Sequence, residues 1–173
     1  MRKGVLAVAV TIGAALALAA PSFADTTVNA KASFTEGIPK QFGCTATPGP
    51  FGLRCGAGNM VPFGHATEFI QFGAGINCSV PGPAGPMPCD LRTIMVAGGT
   101  LMMDEVFSSP DCPGQCNPGH GRASHPGNGT LTDTVVGGSG IFVDAIGDVL
   151  TGSVKGAGGS TQIQLTGQLT VVP

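Results

Sequence analysis

From Val28 onward the chain alternates: Val28, Ala30, Ala32 and Phe34 are apolar, while Asn29, Lys31 and Ser33 between them are polar. That period of two belongs to a strand with one buried face. His65 to Phe72 (HATEFIQF), Leu91 to Val96 (LRTIMV) and Thr100 to Phe107 (TLMMDEVF) have strand composition, the last two joined as a hairpin at Ala97-Gly98-Gly99. Thr130 to Val136, Val143 to Val154 and Thr161 to Val172 continue the pattern, with breaks expected at Gly137 to Gly140 and at Gly156 to Gly159. The stretch between Phe34 and His65 reads as a Gly/Pro-rich loop. Segment 108–129 has no period and reads as an inserted loop.

Beyond residue 24 no window carries three turns of i, i+3, i+4, i+7 apolar spacing, and glycine or proline interrupts nearly every short span. The expectation is an all-β chain of about six to eight short strands, closed as an antiparallel barrel or packed as a sandwich, since closure hides strand edges.

The first 24 residues set the compartment. Arg2 and Lys3 form a basic start, Val5 to Ala20 an apolar run, and Ser22-Phe23-Ala24 a small-x-small cleavage pattern. These are the marks of a signal peptide, with Asp25 as the first mature residue and 25–173 as one secreted β-domain. In a double-membrane bacterium the destination would be the periplasm. No second apolar run of that length follows, and Asp25 is not a lipid-accepting cysteine. The mature chain is therefore expected to be free of the membrane.

Without Arg2 and Lys3 the acids exceed the bases by about four charges. Too few cations remain to neutralise several phosphates, which argues against nucleic acid as a partner. There is no Trp and no Tyr, so the flat polar-edged aromatics typical of sugar-binding surfaces are missing. Phe34, Phe42, Phe51, Phe63, Phe69, Phe72, Phe107 and Phe142 instead suit a core or an apolar lumen.

The chain has 6 cysteines, and in an exported protein they read as disulfides. Cys44 and Cys55 bracket TATPGPFGLR, Cys78 and Cys89 bracket SVPGPAGPMP, and Cys112 and Cys116 bracket PGQ. Pairing neighbours closes the shortest loops around Pro/Gly turns, each of the longer bridges stabilising by roughly 2 to 3 kcal/mol. An alternative is that Cys112, Cys116, His120 and His125 hold zinc, although their spacing is tighter than that of two converging elements.

Residues 135–156, VVGGSGIFVDAIGDVLTGSVKG, resemble the GGTGRFAGATGSGTFTG hairpin of allene oxide cyclase-like and dirigent-like barrels, a pattern met in uncharacterised bacterial secreted proteins. Gly137, Gly138, Gly140, Phe142, Ala145 and Gly147 match, whereas Val143-Asp144 replaces the family's Ala-Gly. His65 and Thr67 resemble the family's GH-LG-x-T strand, and Gly98 to Leu101 with Asp104 its G-x-L-x-x-x-x-G-D strand. The resemblance implies an eight-stranded antiparallel barrel of calycin-like shape, to which the cysteine spacing adds disulfide-bridged loops. Cyclase chemistry does not follow from it, because these residues specify turns and carry no reactive group.

Candidate chemistry is sparse. Asp104 and Glu105 are adjacent on one strand and face opposite ways, as do His65 and Glu68. An inward acid could act as a general acid or base in an isomerase-like pocket, or pair with Arg92 or a lining hydroxyl. Ser139 lies outside any nucleophile elbow, and the glycine clusters lack phosphate-loop spacing. Asn77-Cys78-Ser79 and Asn128-Gly129-Thr130 match the glycosylation acceptor pattern, although Asn-Gly also serves as a turn. No cofactor is expected. The resulting expectation is a secreted, non-enzymatic binding or structural module of disulfide-stabilised β-barrel form. Its alternative is a lumen that carries a small apolar ligand or works as an allene oxide cyclase-like isomerase.

Overall fold

The computed structural model describes residues 24–82, 85–109, 128–157 and 160–173. Eight strands close into an antiparallel barrel: β1 (Thr26–Gly37), β2 (Leu53–Val61), β3 (Gly64–Gln71), β6 (Asp90–Val96), β7 (Gly99–Ser108), β8 (Gly129–Gly140), β9 (Val149–Ala157) and β10 (Ser160–Val171). Each strand pairs with its neighbour in the chain, and β1 pairs with β10 from Thr26↔Val171 to Glu36↔Thr161 to complete the ring. A small hairpin, β4 (Ser79–Gly82) with β5 (Gly85–Pro88), is inserted between the third and fourth barrel strands. It lies within the loop closed by Cys78 and Cys89.

The alternation read from the sequence is the inside–outside alternation of the wall. Ala30, Ala32, Phe34 and Glu36 are buried on β1, and Lys31 and Ser33 between them are exposed. Ile163, Leu165 and Leu169 on β10, Leu150 and Val154 on β9, Leu131 and Val135 on β8, and Leu101 and Met103 on β7 complete one packed interior cluster.

Several expectations need correction. Leu53–Val61, read as loop, is strand β2. Its inward positions include Gly56 and Gly58, which erase the apolar alternation. A Cβ on Gly58 would collide with the backbone of Ser33 and Phe34 on β1, so the close approach of these strands excludes a side chain there. The expected break at Gly137 to Gly140 is instead the end of β8, which pairs with β7 as far as Gly99↔Gly140. The irregular stretch is 141–148, a run of turns, so the strand expected from Val143 begins at Val149. Between Met102 and Met103 the register on β8 moves from Gly137 to Val135, leaving Val136 as a bulge. One helical turn, α1 (Pro39–Phe42), follows β1; Gln41 Oε1 accepts the Ile38 N–H at 3.1 Å, and Gly43 ends the turn in the left-handed region.

The two ends of the barrel differ. At one end the short turns 62–63 and 97–98 and the 141–148 run bring Phe142 into the lumen, fully buried and edge-to-face with Phe63 at a centroid separation of 4.9 Å. Gly138 permits this, since a Cβ there would lie 2.8 Å from the Phe142 carbonyl carbon. At the other end lie the long connections 38–52 and 72–89 and both disulfides, Cys44–Cys55 and Cys78–Cys89, as expected. These bridges are consistent with an oxidising compartment. The third expected pair, Cys112 with Cys116, lies outside the described residues, as do the leader and most of the 108–129 loop.

Phe142 makes the turn end a testable plug. Phe142→Ala should destabilise the protein by roughly 3 to 5 kcal/mol through the cavity it leaves, read from urea unfolding, with barrel circular dichroism retained.

Candidate functional site

Charged side chains fill the loop end of the lumen. Arg92 on β6 is fully buried, and four acids from four other strands surround it: Glu36 on β1, Glu68 on β3, Glu105 on β7 and Asp133 on β8. The guanidinium donates from Nη1 to Glu36 Oε1 at 3.1 Å and to Glu68 Oε2, and from Nη2 to Glu105 Oε2. Nε donates to Glu105 Oε2 at 2.7 Å and lies 3.2 Å from Asp133 Oδ2. Planar and always charged, arginine is the cation suited to several carboxylates at once.

Period-two geometry delivers these groups. Glu68 shares the inward face of β3 with Ala66 and Ile70, and Glu105 that of β7 with Leu101 and Met103. Asp133 falls between Leu131 and Val135. Gly56 on β2 opens the space that Glu68 occupies, for a Cβ there would sit 2.8 Å from Glu68 Oε1. Glu68 Oε1 and Glu36 Oε2 have no hydrogen-bond partner among the described residues.

Burial sets the protonation. It pushes the Glu68 carboxyl well above its ordinary range; Arg92 opposes the rise, and Glu36 and Glu105 add to it. Burial likewise raises Asp133 against the pull of Arg92, helped by Glu105 and Glu36. For Arg92 burial favours loss of the proton, but Glu105, Glu68, Asp133 and Glu36 together outweigh it and hold the guanidinium charged.

A second tier ties the nearest loop to this cluster. Asp90, paired across the sheet with Glu105, accepts the Gly73 N–H at 2.7 Å. Burial, then the Glu105 charge, lift it to about 7 against that hydrogen bond and Arg92. Asp104 faces outward, opposite to Glu105 as expected, and accepts the Ile76 and Asn77 N–H groups at 2.7 Å each. Cys78, Cys89 and Asp104 are the one group of potential metal ligands that converges among the described residues, but the sulfurs are bonded to each other. The group is a staple for the loop. Cys112, Cys116, His120 and His125 lie outside the described residues.

The remaining motif residues divide between scaffold and surface. Phe142 and Ala145 are core, Gly140 before the 141–148 turns and Gly147 within them take positive φ, and Gly137 and Gly138 lie in β8. His65 is exposed on the outer wall, away from Glu68. Thr67, also outward, belongs to a groove of about 420 Å³ between the 42–46 segment and the outer faces of β2, β3 and β6. Cross-strand pairing sets its floor, with Ala57, Thr67 and Met95 in one row and Cys55 and Phe69 in the next. The Cys44–Cys55 bridge anchors its wall. Of the phenylalanines, Phe34, Phe72 and Phe142 are buried, Phe42 and Phe69 line the groove, and Phe51 is exposed.

Sequence reasoning placed Arg92 as a partner for an inward acid but missed Glu36 and Asp133, which sit at the inward positions of their strands as the same alternation requires. The groove left no signal in the sequence, because its walls come from three strands and a helical turn. Comparison with protein-family models, with characterised proteins and with solved structures gave no match.

Two outcomes test the cluster. Arg92→Met should cost about 3 to 5 kcal/mol at pH 7 in urea unfolding, because the acids around the guanidinium stay buried without their cation. Asp90→Asn should act in the opposite sense. Because the folded Asp90 binds its proton more tightly than the unfolded chain does, its contribution to stability falls as pH rises from about 4 to about 7. The asparagine variant should therefore match the parent near pH 4 and exceed it by roughly 2 to 4 kcal/mol above pH 8 in urea titrations.

Proposed function

We propose that the protein is an exported, non-catalytic binding module that seats a small, largely apolar molecule in the groove outside its wall, leaving the lumen as structure. The carrying observation is the contrast between interior and exterior. Phe34, Met60, Ile94, Leu101, Leu165 and Phe142 pack the lumen, and the Arg92 cluster takes up its loop end. The groove has a volume of about 420 Å³, in the usual range for small-ligand sites, and combines Phe42, Ala46, Phe69 and Met95 with the hydroxyls of Thr45 and Thr67. Apolar walls with a few hydroxyls fit an apolar body bearing one or two polar atoms.

Export is supported by the leader pattern and by the two bridges, which suit an oxidising compartment. The allene oxide cyclase-like resemblance enters as a shared barrel shape without shared chemistry. A lumen-based carrier or isomerase has less support, since Glu36, Glu68, Glu105 and Asp133, the inward acids it would use, are all engaged with Arg92 and sealed from solvent.

Fluorescence titration with the neutral apolar probe N-phenyl-1-naphthylamine tests the groove. Saturable binding should weaken at least tenfold in Met95→Glu and in Thr67→Arg, both outward substitutions that leave circular dichroism unchanged. Absence of saturable binding, or equal binding by both variants, would overturn the proposal.

A further inference from the structure

Charge at the loop end of the lumen does not balance. The inward ionisable groups of the wall are Glu36 on β1, Arg54 on β2, Glu68 on β3, Asp90 and Arg92 on β6, Glu105 on β7 and Asp133 on β8, all buried. β9 and β10 add none, since Lys155 is exposed and β10 has no ionisable residue. Five acids thus face two arginines, and Arg54 makes no ion pair among the described residues, its Nε lacking a hydrogen-bond partner. Full ionisation would leave an excess of about three negative charges out of contact with water, which a protein interior does not sustain.

Either a cation or protons must make up the difference. A cation needs converging oxygens, and among the described residues the only three ligand groups within 4.8 Å of one another are Cys78, Cys89 and Asp104, which belong to the disulfide-closed loop. The cluster's oxygens instead spread around the guanidinium, and Glu68 Oε1 and Glu36 Oε2 lack a donor among the described residues. Protons on the carboxyls meet the deficit without a further ligand.

The same acids lie beside the tethers of the 73–77 loop. Asp90, across from Glu105, holds the Gly73 N–H, and Asp104, the chain neighbour of Glu105, holds those of Ile76 and Asn77. Glu68 and Asp133, once ionised, repel Glu105 on β7, which lies across from Asp90 and next in the chain to Asp104.

We propose that the loop end of the barrel is a proton-operated latch: Glu68 and Asp133 carry protons while it is closed, and losing them in alkaline solution drives the carboxylates apart and releases the 73–77 loop. The Cys78–Cys89 bridge and the packed turn end confine the opening to this region. Asp90 accepts the Gly73 N–H, whereas Asp104 holds those of Ile76 and Asn77, so these two amides and the double variant separate Glu68 and Asp133 from Asp90.

The test is amide NMR of the disulfide-bonded protein from pH 5 to pH 10, read at Ile76 and Asn77, with Ile163 in the core as reference. The parent should show one cooperative change above neutral pH at both loop amides and none at Ile163. Glu68→Gln combined with Asp133→Asn, which mimics the protonated carboxyls, should abolish it. A parent spectrum constant to pH 10, or a change that persists in the double variant, would overturn the proposal. Should the double variant fail to fold, the carboxyl carbon shifts of Glu68 and Asp133 in the parent at pH 7 decide: protonated values support the latch and ionised values overturn it.

Discussion

The fully buried guanidinium of Arg92 holds five strands to one point. It donates to or contacts acids of β1, β3, β7 and β8 from its own position on β6. In the low dielectric of a closed lumen such contacts are strong, yet desolvating every partner costs as much or more, so net stability does not come from the number of ion pairs. The cluster fixes which strands meet and in what register, because an acid displaced by one residue would point outward and leave the arginine short of charge. Apolar packing accepts substitutions of similar volume far more readily than this network accepts the loss of a partner.

That constraint divides the barrel. The turn end is sealed by dispersion and burial, with Phe142 seated through the clearance that Gly138 provides. The loop end is held by polar contacts: the Arg92 cluster within, the Asp90 and Asp104 tethers above, and a covalent bridge on each of two long connections. Packed hydrocarbon hardly responds to pH, whereas carboxyls crowded around one cation respond strongly, so the end bearing the long loops is also the end sensitive to conditions. The outer groove lies on the wall of this same end, its floor the reverse face of the strand that carries Glu68.

Where local pattern and tertiary role agree, sequence reasoning recovers the element. β1 and β3 alternate cleanly, β6 and β7 carry strand composition, and the two described disulfides close the shortest loops. It fails where glycine serves the packing of another element. Gly56 makes room for Glu68, Gly58 for the β1 backbone and Gly138 for Phe142, and in each case a residue that locally signals a turn lies within a strand. The opposite orientations of Asp104 and Glu105 follow from strand geometry alone. The roles of Glu36 and Asp133 do not, since the alternation that turns them inward says nothing of the Arg92 they meet there.

Periodicity, turn residues and cysteine spacing thus dictate an all-β chain, its antiparallel hairpins and its nearest-neighbour bridges, because each is a property of residues a few positions apart. Closure of β1 on β10 and the gathering of one cation with its acids were decided only in three dimensions. Glu105, Glu68 and Glu36 stand 13, 24 and 56 residues from Arg92, too far apart for any local pattern to record. Their meeting depends on the circumference of the closed sheet, and so do their protonation and the shape of the groove outside it.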